Sequence, residues 1–266
     1  FFIGVLAAVA AAEALWPRRA RSFPRWRRWP NNLGVAVLNS LLSRWLFPLA
    51  AVGLAALMED KGLGLLPALG LPYAISCVLA VLLLDAAIYL QHVMFHAVPA
   101  LWRLHRMHHA DLDFDVTTGA RFHPLEILIS MAIKLMLVAA LGPPAVAVVV
   151  FEVLLNATSM FNHGNWKLPP EVDRRLRLFL VTPDMHRVHH SVAAHETNSN
   201  FGFNLPWWDR LFGTYRDQPE AGHDGMTIGI EQFRDGHELR LDRMLAQPWR
   251  GDAGSYSINR RDFNAG

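Results

Sequence analysis

The chain has 266 residues, enough for one or two domains with a buried core. Apolar residues make up 52% and charged residues only 18%, against about 25% charged in soluble domains, so much of the chain suits an apolar solvent. A formal charge of +2 gives no reason to expect a nucleic-acid partner, and a single cysteine, Cys77, excludes an intramolecular disulfide and a thiolate metal cluster.

Taken in chain order, "FFIGVLAAVAAAEAL" is read as a membrane helix over 1–16 whose start lies before residue 1, rather than a signal-peptide core, because no cleavage site follows it. A spanning helix needs about 20 mostly apolar residues. The next candidate is 33–58, interrupted by Arg44 and Pro48, and a third covers 72–91 with Asp85 near its end. Two shorter stretches, 125–141 and 144–160, are separated only by "GPP" and predict a hairpin. Between the first two candidates, "WPRRARSFPRWRRWP" carries six arginines, which the positive-inside rule places in the cytoplasm. Counting crossings from there puts 92–123 and 161–266 on the same cytoplasmic side. The expected organisation is N-terminal transmembrane helices over 1–91, a catalytic region over 92–215 containing the membrane hairpin 125–160, and a polar cytoplasmic tail over 216–266 without chemistry of its own. Together these form one integrated domain, an all-α polytopic bundle of four to five membrane helices with a cytoplasmic helical cap.

Histidine is the outlier, with 13 residues. The third apolar stretch runs into "DAAIYLQHVMFH", placing His92 and His96 one helical turn apart on the same face. "LHRMHH" then offers His105, His108 and His109, and "TPDMHRVHH" repeats the spacing with His186, His189 and His190. Between them stand His123 in "ARFHPLE" and His163 in "FNHGNWKLP". Ten imidazoles gathered in one pocket would have to be neutral or bound to a cation, and metal ligation uses neutral imidazole. Zinc, copper, iron and nickel all accept imidazole, and ten ligands exceed one ion's needs, so at least two ions are implied. His195, His223 and His237 are read as ordinary. Asp85, seven residues before His92, is a candidate to orient a ligating imidazole, or else to pair with Arg44 or another polar helix residue. Asn162 and Asn165 are further candidates for that supporting role, as are Glu126, Asn200 and Asp209. Trp207 and Trp208 suit the membrane interface or a packing role, or else a substrate wall.

The order HxxxH, HxxHH, HxxHH resembles the fatty acid hydroxylase and sterol desaturase superfamily of integral membrane di-iron enzymes. The resemblance is carried by "DAAIYLQHVMFH", "LHRMHH", "RFHPLE", "FNHGN", "VTPDMHRVHHS", "ETNSNFG" and "WDRLFGTY", spanning about half of the chain. It implies two iron ions (zinc can replace them in a purified protein) held by His92, His96, His105, His108, His109, His123, His163, His186, His189 and His190. It also implies O2-dependent hydroxylation or desaturation of a lipid C–H bond, on a fatty acyl chain or sterol or alternatively on a carotenoid or alkylglycerol ether. The chain carries neither a dinucleotide fingerprint nor a cysteine set for an iron–sulfur cluster. Electrons are therefore expected from a separate donor, a reductase with a cytochrome or ferredoxin-type carrier. A membrane metal transporter or zinc-binding protein is the rival from another class; it requires ionisable residues across the membrane interior, whereas the histidines cluster at helix ends.

Overall fold

The computed structural model describes residues 1–258, and among these every regular element is a helix, apart from isolated bridges pairing Pro17 with Trp166 and Ser191 with Ile228. Four segments are long and apolar enough to cross a membrane: Arg25–Ala68, Tyr73–Ala97, Pro124–Leu141 and Ala145–Asn162. The expected all-α membrane bundle is therefore what the chain forms.

Helix α1 (Phe2–Leu15) has 14 residues, about 21 Å at 1.5 Å per residue, short of the roughly 30 Å hydrocarbon core. It packs instead along α8 (Ala145–Asn162), where Val9 meets Met160 and Val116. The apolar stretch expected as one helix over 33–58 is two: α2 (Arg25–Leu46) and α3 (Ala50–Asp60), broken around Pro48. Proline lacks the amide hydrogen and its ring crowds the carbonyl four residues earlier, which favours a break there, although α2 itself continues through Pro30 near its start. After the single turn α4 (Leu65–Ala68), α5 (Tyr73–Ala97) runs 25 residues, about 37 Å, which carries its last turn beyond the hydrocarbon. α7 (Pro124–Leu141) and α8 form the expected hairpin; Gly142, in the left-handed region, ends α7, and Pro144 precedes α8. A Cβ on Gly142 would overlap the Leu63 carbonyl, so only glycine lets these two loops touch. The apolar core lies among α3, α5, α7 and α8, built from Ala51, Ala55, Leu84, Ile88, Val138, Val148 and Phe151.

α5 passes into α6 (Pro99–His109) with a single residue, Val98, between them, so α6 folds back over the end of α5. The cap is completed by short helices α9 (Pro170–Leu176), α10 (Pro183–His189), α11 (Ala194–Thr197) and α12 (Trp207–Phe212), then α13 (Gly222–Gly225) and α14 (Leu241–Ala246). The loop from α6 to α7 is anchored by charge. The Arg28 guanidinium, fully buried, donates to both Asp111 oxygens at 2.9 and 2.7 Å and to Asp115 at 2.5 Å. Arg18 likewise pairs with Asp184 and Asp224 in the cap. The arginine-rich segment and the cap therefore lie on one side of the bundle.

Candidate metal centre

The structure brings nine of the ten expected histidines into two adjoining groups, all buried. His92, His96, His105, His109 and His189 form the first; His108, His163, His186 and His190 form the second. Within each group, one nitrogen per ring lies within 4.8 Å of the others. Each HxxHH triplet is split between the groups. On α6 the i, i+4 pair His105 and His109 serves the first group and His108 the second; on α10 and the residue after it, His186 and His190 serve the second and His189 the first. One turn of helix thus offers rings to both groups, which adjoin where His109 stacks on His190 with centroids 4.6 Å apart.

Hydrogen bonds to the outer ring nitrogens fix which nitrogen faces inward. His92 Nδ1–H donates to the Phe201 carbonyl, His189 Nδ1–H to Ser199 and His163 Nδ1–H to Ser159, each at 2.7 Å. His105 Nδ1 lies 2.6 Å from the Glu126 carboxylate, and His96 Nδ1 lies 3.1 Å from Asn198 Oδ1. With the proton on Nδ1, the Nε2 of each of these five rings is a bare lone pair, whereas the Nδ1 atoms of His108, His109 and His186 are buried without a partner. Yet His92 Nε2 and His105 Nε2 are 3.1 Å apart, His109 and His105 3.2 Å, His108 and His163 3.2 Å, and His186 and His163 3.1 Å. The facing lone pairs of His92 and His105 repel at that distance unless a cation lies between them. Nitrogens bound to one metal at about 2.0–2.2 Å are themselves about 3.0–3.4 Å apart, so the observed spacings fit a metal in each group. The buried, unpartnered Nε2 atoms of His96 and His189 and both ring nitrogens of His190 fit the same demand.

Electrostatics agrees. Burial, reinforced by neighbouring imidazoles, holds His108, His109, His186, His189 and His190 well below the usual histidine range. Burial brings His105 to about 3 and, against a favourable bond to the Ser159 carbonyl, His163 to about 3. Neutral imidazole is the metal-binding form. Aromatic rings close the walls: Phe122 stacks on His108 at 4.3 Å, Phe114 lies 5.5 Å from His163, Phe201 5.0 Å from His96, and Trp102 4.8 Å from His96.

The fatty acid hydroxylase family model matches residues 77–214, just over half of the chain and the segment that contains all nine clustered histidines. The chain belongs to the fatty acid hydroxylase family. Among curated relatives it is 32% identical to ornithine lipid hydroxylase OlsE of Rhizobium tropici, over 60% of this chain and 46% of that protein. It is 32% identical to the alkylglycerol monooxygenase of Homo sapiens, over 56% of this chain and 32% of that one. It is 27% identical to the cholesterol 25-hydroxylase of Rattus norvegicus, over 60% and 52%. The chain thus spans about half or less of the length of the curated relatives it matches. No solved structure matches it.

Several expected roles fall differently in this family member. His123 joins neither group: it caps α7, its Nδ1 accepting from the Leu125 amide at 3.2 Å while Nε2 faces the Leu245 carbonyl at 3.3 Å, so both nitrogens are engaged. Asp85 reaches neither an imidazole nor Arg44; its carboxylate accepts from Asn204 Nδ2, the Leu205 amide and Trp208 Nε1, tying the loop before α12 to α5. Asn162 donates to the Phe203 carbonyl, and Asn165 exchanges hydrogen bonds with the Arg19 backbone, so neither touches a clustered ring. Asp209 accepts from the amides of Phe201 and Gly202, and so holds the carbonyl that orients His92. Glu126 bears on a ring directly. Asn198, which sequence reasoning passed over, bears on another; its only sequence signal is a position within "ETNSNFG".

Proposed function

We propose that this chain is a membrane-bound, O2-dependent oxidoreductase that hydroxylates a bilayer lipid, with two iron ions held by His92, His96, His105, His109 and His189 and by His108, His163, His186 and His190. The observation that carries this reading is the set of inward Nε2 atoms at 3.1–3.2 Å, with the outer nitrogens of His92, His105 and His163 tied to acceptors. Iron in such a site supplies the one-electron chemistry that O2 activation and C–H oxidation require. The protein's part is to keep the imidazoles neutral, fix their tautomers through carbonyl and carboxylate acceptors, and exclude water with Phe114, Phe122, Phe201 and Trp102. Second partners of ligating histidines typically contribute 10–100-fold in metal affinity.

The named substrates of the relatives, an ornithine lipid, an alkylglycerol and cholesterol, support a lipid substrate, and their reactions favour hydroxylation over desaturation. The proposed route for the lipid is lateral, from the bilayer between α5, α7 and α8, which pack closely enough to leave no more than about 10 Å³ among Leu84, Ile88, Leu137 and Phe151. Separation of these helices would admit a chain. The active site faces the cytoplasm because the cap shares its side with the arginine-rich segment 17–28, which the positive-inside rule retains there. A separate electron donor, a reductase with a cytochrome or ferredoxin-type carrier, reaches the cap from that side. The test is metal analysis of the purified protein together with lipid profiling of an expressing host, wild type against His189→Ala. About two metals per chain and a hydroxylated lipid that disappears in the variant are expected; a metal-free wild type, or an unchanged lipid profile, overturns the reading.

A further inference from the structure

The segment after residue 246 lies outside the family match, yet it wraps the first histidine group. Arg106, fully buried between His105 and His108, donates through Nη2 to the carbonyls of Gln247 and Arg250 at 2.6 and 2.5 Å, and through Nη1 to Gln232 Oε1 at 3.2 Å and to the Asp252 carbonyl. Trp102, which packs against His96 and His109, donates Nε1–H to the Ala253 carbonyl at 2.8 Å and stacks on Tyr256 at 5.5 Å. The Tyr256 hydroxyl donates to the Val192 carbonyl and accepts from the Glu231 amide. Beyond it, Ser257 Oγ donates to the Ala97 carbonyl at 3.0 Å, and the Ile258 amide donates to the carbonyl of His96 itself, also at 3.0 Å.

One side chain joins this strap to an imidazole. Asn198 Nδ2 donates to the Tyr256 carbonyl at 2.8 Å. That bond decides which way the amide points, because only its NH2 end can donate to a carbonyl. The oxygen end is thereby turned to His96 Nδ1 at 3.1 Å, where it accepts Nδ1–H and leaves Nε2 facing the first group. His96 has no other polar partner at Nε2. The remaining rings with a fixed tautomer lean on backbone carbonyls or on Glu126; His96 alone among them depends on an amide that a distant segment must orient.

We propose that Asn198 is a positioning residue for His96, and that the C-terminal segment 247–258 sets its orientation, so that the first metal site, but not the second, is completed by chain outside the family's shared region. The inference rests on the dimetal reading above. It assigns the tail a share in the chemistry that composition alone gave no reason to expect.

The test is metal titration of the purified full chain in detergent, using Co2+ as an absorbing probe and a competing chelator, on wild type, Asn198→Ala, Asn198→Asp and Tyr256→Ala. Asn198→Ala is expected to weaken one of two sites by about 10–100-fold, with a changed cobalt spectrum, and to leave the other at wild-type affinity. Asn198→Asp keeps an acceptor for His96 Nδ1–H but sets an oxygen against the Tyr256 carbonyl. It is expected to restore the first site to within about tenfold of wild type, while amide exchange over 247–258 stays faster than in wild type. Tyr256→Ala is expected to weaken the first site and speed exchange over the same segment. Two sites of wild-type affinity and spectrum in Asn198→Ala overturn the inference, and so does equal loss of both sites in Asn198→Ala and Asn198→Asp. A wild type that binds no metal overturns the dimetal reading itself, and this inference falls with it.

Discussion

Gly119 passes against the second histidine group so closely that a Cβ there would lie 2.8 Å from the Ser159 carbonyl oxygen and 3.1 Å from His163 Nδ1. Those are the two atoms whose hydrogen bond sets the His163 ring. Backbone cannot yield as a flexible side-chain tip can, so Gly119→Ala must displace the carbonyl, the imidazole or both. We expect the variant to insert and fold but to lose about 10–100-fold in affinity at one of two metal sites, read by chelator competition; wild-type affinity would refute this. The residue scale also shows why ligands were easier to read than their supports. A ligand must be a histidine, and three spaced phrases gave away eight of the nine, the lone His163 being the other. The supports are mainly carbonyls of Ser159, Ser199 and Phe201, which every residue possesses, so no letter marks them. Asp85 illustrates the converse error. Seven residues return to the same helical face, but also travel about 10 Å along it, too far for a carboxylate to meet the His92 ring.

At the scale of elements, apolar runs located the membrane helices, because hydrocarbon imposes both length and composition. Breaks and polar contacts were less legible. Pro48 was visible as an interruption, yet the two-helix outcome needed the chain to find partners for the freed backbone. The arginines of 17–28 read as a topology signal, but nothing in the sequence marked Arg28 as the one locked to Asp111 and Asp115, a pairing between segments more than eighty residues apart. The hairpin holds another such pair: Lys134 Nζ on α7 lies 2.7 Å from Glu152 Oε1 on α8. Both charges stand within spanning segments, where an unpaired ion is expensive. Removing one partner should therefore cost more than removing both. Lys134→Ala is expected to destabilise by about 3–5 kcal/mol, whereas Lys134→Met combined with Glu152→Leu should fall within about 1 kcal/mol of wild type. Unfolding in mixed micelles measures both. A double variant as unstable as the single one would mean that the pair carries net stability rather than compensating its own burial.

For the whole molecule, the histidine centre makes the metal-free chain sensitive to acid. His105 and His163 have folded values of about 3, against about 6.5 for a free imidazole. Between those values the unfolded chain binds more protons than the folded chain, so stability rises with pH and is fully present above about 6.5. As pH falls from about 6.5 towards 3, each of the two removes stability progressively, because the unfolded chain takes up a proton that the folded chain excludes. His108, His109, His186, His189 and His190 are shifted in the same direction. A fold only 5–15 kcal/mol stable cannot absorb that demand for long, so the metal-free protein should unfold within the first few pH units below neutrality. Bound metal opposes this, because an imidazole that binds a cation resists protonation and a ligand that favours the folded state adds to its stability. The expected outcome is a midpoint of acid unfolding that shifts to lower pH as Co2+ or Fe2+ is added, followed by helical circular dichroism in detergent. Coincident acid transitions with and without metal would show that the two groups do not bind these ions in the folded chain, since binding linked to folding must move the transition.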